Sequence, residues 1–240
     1  MALVTDGIFP NGTSLESLLP EGCDADKIRK EVEDLFEKKT RFLHSEKRPV
    51  LINLSGLPAS GKTFRSKKIR SKRPDLLYIG FDEIMESLAE YKKDYALDPK
   101  KAFERWELPA RWIGYDLLNR AVNKKFPVLF EHSNANPKHL DLYRNIINEG
   151  YFVEMRFIDA TPETVLPRLE KRARYFPAGQ VAERWQVLQK LLPDYKTAVS
   201  KFIVLNGNAP LPKYRKTIKK YPLPPKNIRP ERFRRRASFE

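Results

Sequence analysis

Cysteine is almost absent from this chain. Cys23 stands alone, which excludes an internal disulfide framework and any zinc site built on thiolates. Histidine is nearly as scarce, and His44, His132 and His139 show no metal-ligand spacing, so a reduced, metal-poor interior is expected. Long apolar runs are missing too, with no stretch near the roughly 18 residues a membrane span needs. Residues 1–12 lack the basic start and apolar run of a signal peptide. The expectation is a soluble protein made in the cytoplasm, with export by an unstructured signal left open. Acidic side chains are in deficit, 31 against 46 Lys and Arg, and the resulting +15 suits phosphates, nucleic acid or an acidic surface.

What is present is 240 residues, 41% hydrophobic, enough for one sizeable core. The charge is unevenly spread. Residues 208–240 carry eleven basic side chains against Glu231 and Glu240, a balance of +9, together with six prolines. A segment so rich in proline and like charge cannot bury enough apolar surface to offset the entropy of ordering. The sequence therefore divides into a domain at 1–207 and a basic, proline-rich tail at 208–240. The tail is suited to an acidic partner, nucleic acid or an anionic membrane.

Within 1–207, short apolar runs alternate with helical periodicity. Asp24 is placed to cap an amphipathic helix over 25–43, where Ile28, Val32, Leu35 and Phe36 recur at helical spacing. Strands are predicted at 49–54, 76–79, 128–130, 152–158 and 202–205. Helices are predicted at 63–70, 81–91, 103–122, 137–149, 162–174 and 181–200. Such alternation predicts an α/β fold, a parallel sheet of about five strands with helices on both faces. Ligands of such sheets bind at the carboxyl ends of the strands.

The first strand runs into Gly56-Leu57-Pro58-Ala59-Ser60-Gly61-Lys62-Thr63, a match to G-x-x-x-x-G-K-[ST] at every specified position. In this motif Gly56, Ser60 and Gly61 let backbone N–H groups turn around a phosphate. Lys62 reaches the β- and γ-phosphates of ATP, and Thr63 offers a hydroxyl to Mg²⁺. Asp82 follows the second strand, where a general base for an acceptor hydroxyl belongs; its alternative role is to cap the next helix. We read the second strand as the neighbour of the first. Glu131 closes the third strand as an acid of Walker-B type, a candidate to hold Mg²⁺-bound water or a substrate hydroxyl, with Ser133 and Asn134 following. Arg168, Arg172 and Arg174, ahead of the break Tyr175-Phe176-Pro177, are candidates for stabilising the transferred phosphoryl group, or else a solvated basic face.

Over most of residues 25–207 the chain resembles the zeta toxins, P-loop kinases of bacterial toxin–antitoxin systems. The resemblance rests on LSGLPASGKT, the strand ending in Asp82, VLFEHSNANP in place of the family's acid-and-threonine strand end, the helix stopped by Gly150-Tyr151, and Thr161-Pro162-Glu163 leading to arginines. It implies a P-loop kinase fold, Asp82 as base, Lys62 and Thr63 at the phosphates and Mg²⁺, and Glu131 with Ser133 in the substrate pocket. It also implies Arg172 and Arg174 as the phosphoryl clamp, although the loop between them is much shorter here. Where the family places a sugar-binding glutamate, this chain offers Tyr115 or Asp116; Asp116 is the substrate-binding candidate. The implied reaction is ATP-dependent phosphorylation of the 3′-hydroxyl of UDP-N-acetylglucosamine or a related nucleotide, and the implied partner is a protein antitoxin. The charge supports a second reading, a polynucleotide 5′-kinase or another nucleic-acid-directed P-loop enzyme.

Overall fold

A computed structural model describes residues 3–171 and 176–209. Its centre is a parallel five-stranded sheet in the order β2-β3-β1-β4-β5, formed by β1 (Val50–Ser55), β2 (Leu77–Gly80), β3 (Val128–Glu131), β4 (Phe152–Asp159) and β5 (Lys201–Asn206). The strands read as unbroken apolar runs because both faces are covered. Leu51, Leu77, Ile79, Val128 and Phe130 pack into the larger cluster, whereas Ile52, Leu54, Tyr78 and Leu129 pack on the opposite side with Ile69. The strand order corrects one expectation. The second strand in sequence is an edge strand paired with β3, and β3 lies between it and β1.

The helices follow their sequence signals closely, with one further break. After the short α1 (Leu15–Leu18), α2 (Ala25–Thr40) is capped by Asp24, whose carboxylate accepts from Lys27 N at 3.0 Å. Its apolar stripe Ile28, Val32 and Phe36 is buried. The helix α3 (Lys62–Arg70) starts directly from the glycine loop. The helix expected over 81–91 is two helices, α4 (Phe81–Ser87) and α5 (Ala89–Leu97), because Leu88 between them is extended at ψ 132°. Next comes α6 (Pro99–Asn123), opened by Asp98 with Pro99 in its first turn, where a missing N–H costs nothing. Then follow α7 (Lys138–Asn148), α8 (Pro162–Glu170) and α9 (Gln180–Ala198). A third cluster, Leu57, Phe157, Val165, Leu169, Val181 and Leu188, fixes α8 and α9 beside the glycine loop. Among the described residues no helix is long and apolar enough to cross a membrane.

The segment before α2, which carries no clear periodicity, is tied to the core. Val4 and Leu15 are buried, and Asn119 Nδ2 on α6 donates to Thr5 Oγ1 at 2.6 Å. Phe9 packs edge-on against Tyr115, 6.0 Å between centroids. This places Ile8 and Phe9 over the carboxyl ends of the strands.

Candidate active site

The glycine loop bends where β1 meets Ile158 of β4. Gly56 lies at φ 136°, and a Cβ there would meet the Ile158 carbonyl oxygen at 2.7 Å, so conformation and space both require glycine. Gly61 at φ 98° is the N-cap of α3 and gives no side-chain cap, which leaves the first N–H groups of the helix to be satisfied from outside. Ser60 Oγ in the same loop is buried without a partner. An anion seated in the loop would complete these donors, so the residues present fit a nucleotide phosphate. Lys62 Nζ donates to Gly56 O and Leu57 O, both at 2.8 Å, and so sits across the mouth of the loop.

Thr63 and Glu131 come together. The Thr63 hydroxyl donates to Glu131 Oε1 at 2.9 Å, and Tyr78 Oη donates to Oε2 at 2.8 Å. Burial, then the Glu131 charge, pushes the Tyr78 phenol far above its usual range, so it remains a donor. A hydroxyl and a carboxylate in contact at the head of α3 form a hard-oxygen pair of the kind Mg²⁺ takes.

Asp82 is a residue of the first turn of α4, and Gly80 is the N-cap, so the capping alternative does not hold. Gly80 is in register with Glu131, so Asp82 leaves the sheet at the same end as Glu131, one strand further from the loop than expected. Phe81 anchors that turn by edge contacts to Tyr115 at 5.1 Å and His132 at 5.1 Å. Glu83 is held by Lys39 and by Arg70 at 2.9 Å.

Behind Glu131 opens a cavity of about 480 Å³, lined among others by Phe9, Arg111, Tyr115, His132, His139 and Arg184. Ser133 lies on its wall. Two other candidates do not. Asn134 is fully buried, with Nδ2 donating to Asn53 Oδ1 at 2.7 Å and Oδ1 accepting from Tyr143 Oη at 2.7 Å, so its side chain is spent on the core. Asp116 faces the other side of α6, paired with Arg120 at 2.9 Å, which also holds Glu33 on α2 at 2.6 Å. Tyr115, one residue earlier, is the one that faces the cavity. Arg172 and Arg174 lie outside the described residues. Arg168 is hydrogen-bonded to Gly207 O at 2.9 Å and Ala209 O at 3.0 Å, at the end of β5.

Sequence reasoning offered Tyr115 but missed the rest of the cavity's polar wall. Arg111 and Tyr115 are one turn apart on α6, and Gln180, Glu183, Arg184 and Val187 recur at i, i+3, i+4 and i+7 on α9. A stripe of such mixed polarity reads in sequence as a solvated face. Arg111 and Arg184 share Glu107 loosely, at 3.4 and 3.9 Å. Burial, then the neighbouring guanidinium of Arg111, lowers the Arg184 pKa.

His139 is held neutral, its pKa pushed down to about 3 by burial and then by Arg111. Burial, then His139, lowers that of His132. Each histidine binds a proton in the unfolded chain before it does so in the fold, so stability should fall as pH drops through the window below the unfolded value of about 6.5. From about pH 6.5 to pH 5 the loss from His139 alone should be on the order of 2 kcal/mol. Urea unfolding at both pH values checks this: His139→Gln should flatten the dependence, and an unchanged slope would contradict it.

The zeta toxin family model matches residues 33–199. A comparison of the sequence with curated proteins gave no match. Among solved structures, the chain is similar to one from the PezAT chromosomal toxin–antitoxin system of Streptococcus pneumoniae, at 17% identity and a TM-score of 0.62, over 82% of this chain and 81% of that one. It is also similar to a chain of the AvrRxo1-ORF1:AvrRxo1-ORF2 complex with sulphate ions, at 18% identity and a TM-score of 0.52, over 75% of this chain and 60% of that one. At these identities the likeness is one of fold. With the match spanning well over half of the chain, the glycine loop near its head and the acid of β3 beside it, this protein belongs to the zeta toxin family and has its P-loop kinase-like fold.

Proposed function

We propose that the protein transfers the γ-phosphate of ATP to a hydroxyl of a small polar molecule held in the cavity behind Glu131, a nucleotide sugar such as UDP-N-acetylglucosamine or a related nucleotide. The carrying observation is adjacency. Glu131 touches Thr63 of the glycine loop, and the next two residues, His132 and Ser133, form the cavity wall. Nucleotide and acceptor sites would thus meet across a single strand end.

In this reading the N–H groups of 56–63 bind the phosphates, and Lys62 leaves the loop carbonyls for the β- and γ-phosphates. Thr63 and Glu131 would hold Mg²⁺, which neutralises charge on the phosphates when bound. Asp82 accepts the acceptor hydroxyl's proton. Arg111 and Arg184 orient the acceptor, with Arg172 and Arg174 assigned to the phosphoryl group from the sequence alone. A cavity of about 480 Å³ suits a small acceptor better than a polynucleotide end. The domain is assigned to 1–207, the tail at 208–240 to a separate interaction, and a protein antitoxin is the proposed partner, as in the toxin–antitoxin systems to which the fold is similar.

The test is an acceptor screen with labelled ATP, read by mass spectrometry, over nucleotide sugars, nucleosides, dinucleotides and 5′-hydroxyl oligonucleotides. A phosphorylated oligonucleotide as sole product would replace this reading with the nucleic-acid one. Asp82→Asn retains shape but loses the proton acceptor, so kcat should fall on the order of 10²-fold or more with ATP affinity little changed. Parallel losses in ATP binding and turnover would assign Asp82 to metal or structure instead.

A further inference from the structure

The hydrogen bonds around the cavity fix where its buried protons sit. Asn53 Nδ2 donates to the Phe130 carbonyl at 3.2 Å, which can only accept, so Asn53 Oδ1 must accept from Asn134 Nδ2. Asn134 Oδ1 lies 3.1 Å from His132 Nδ1, but the Asn134 backbone N–H points at the same nitrogen at 3.0 Å and can only donate, which makes Nδ1 the acceptor. A neutral His132 therefore carries its proton on Nε2, which faces Tyr115 Oη at 3.4 Å. The Tyr115 hydroxyl must then send its own hydrogen to His139 Nε2 at 2.7 Å. This leaves the proton of neutral His139 on Nδ1. That atom is buried and has no hydrogen-bond partner in the protein, although His139 is a wall residue of the cavity. The nearby Asn136 carbonyl favours a proton there, yet it already accepts from the His139 backbone N–H and from Tyr195 Oη, both at 3.1 Å.

We propose that His139 is a specificity-determining residue whose Nδ1–H donates to a hydroxyl or carbonyl oxygen of the molecule filling the cavity. The role of that molecule as phosphoryl acceptor rests on the function proposed above; the donor itself does not. A buried donor without a partner costs free energy that a matching oxygen recovers, so a site of this kind rejects analogues lacking the oxygen. The Tyr115 and His132 rings supply no charge and set the tautomer. Arg111 on α6 and Arg184 on α9, in the same cavity wall, supply the N–H groups for an anionic portion of the same ligand. The ligand class is therefore an oxygen-rich molecule that carries both an anionic group and a neutral oxygen.

The experiment is ¹⁵N NMR of the full chain with ¹⁵N-labelled histidine, titrated with UDP-N-acetylglucosamine, with UDP and with N-acetylglucosamine. The expected spectrum has the His139 proton on Nδ1, and at least one sugar-bearing probe shifts that signal where UDP alone does not. Asparagine places an amide near the Nδ1 position and glutamine near Nε2. His139→Asn should therefore hold KM for the acceptor within a few-fold, whereas His139→Gln should raise it about tenfold or more, with KM for ATP unchanged in both. A proton on Nε2, an Nδ1 signal that no probe moves, or equal KM increases in the two variants would overturn the donor. Absence of turnover with every acceptor would overturn the proposed reaction, while the spectrum still decides the donor.

Discussion

Lys62→Ala should lose phosphoryl transfer by a factor on the order of 10²–10³ while the protein stays folded. Lys62 heads α3 and is half-buried, and its Nζ donates to two carbonyls of the same loop, Gly56 O and Leu57 O, rather than packing as an apolar core side chain. The ammonium is instead matched to charge on the β- and γ-phosphates, and the loop's N–H groups cannot replace a full positive charge there. ATP binding should weaken less than turnover, because the backbone donors of 56–63 remain. Single-turnover rates with saturating ATP, beside circular dichroism of the variant, measure both halves. Wild-type turnover in folded Lys62→Ala would remove the loop from the reaction.

Asn134→Ala should destabilise the fold by about 3–5 kcal/mol, a large part of a typical domain's stability. Its two amide atoms bond Tyr143 Oη and Asn53 Oδ1, and removing them leaves both partners buried and unsatisfied, at roughly 1–3 kcal/mol each. Asn134 also lies at φ 64°, the left-handed region that asparagine tolerates and alanine resists by roughly 1 kcal/mol. Asn134→Gly would restore the backbone freedom and recover only that last part. Urea denaturation of the two variants separates the contributions. A stable Asn134→Ala with a raised acceptor KM would return this residue to the substrate pocket, where its position directly after Ser133 suggests it belongs.

Asn134 and Asp116 mark where one-dimensional reading stops. Both are polar, both sit close to candidate site residues, and spacing alone cannot tell which way a side chain turns. Asp116 is one residue from Tyr115, which on a helix is a rotation of about 100°, enough to exchange the cavity for the Arg120 and Glu33 side. Asn134 is withdrawn because Asn53, inward-facing on β1, needs a polar partner across the sheet. The neighbour of β1 was similarly hidden. Parallel strands are joined through helices, so consecutive strands need not pair, and pairing depends on tertiary packing that the chain order does not state.

The sequence by itself determined the alternation of strands and helices, the glycine loop and the acid ending β3. These are local: an unbroken apolar run bounded by Gly, a cap such as Asp24, and a motif whose spacing is set by the backbone geometry of one turn. Only the tertiary structure decided that β3 lies between β1 and β2, that Glu131 meets Thr63 and Tyr78, and that α6, α7 and α9 bring Arg111, Tyr115, His139 and Arg184 around one cavity. Those contacts join residues far apart in sequence whose individual surroundings carry no motif. Their positions follow from burying the helices' apolar faces against a common sheet, a property of the whole packed chain.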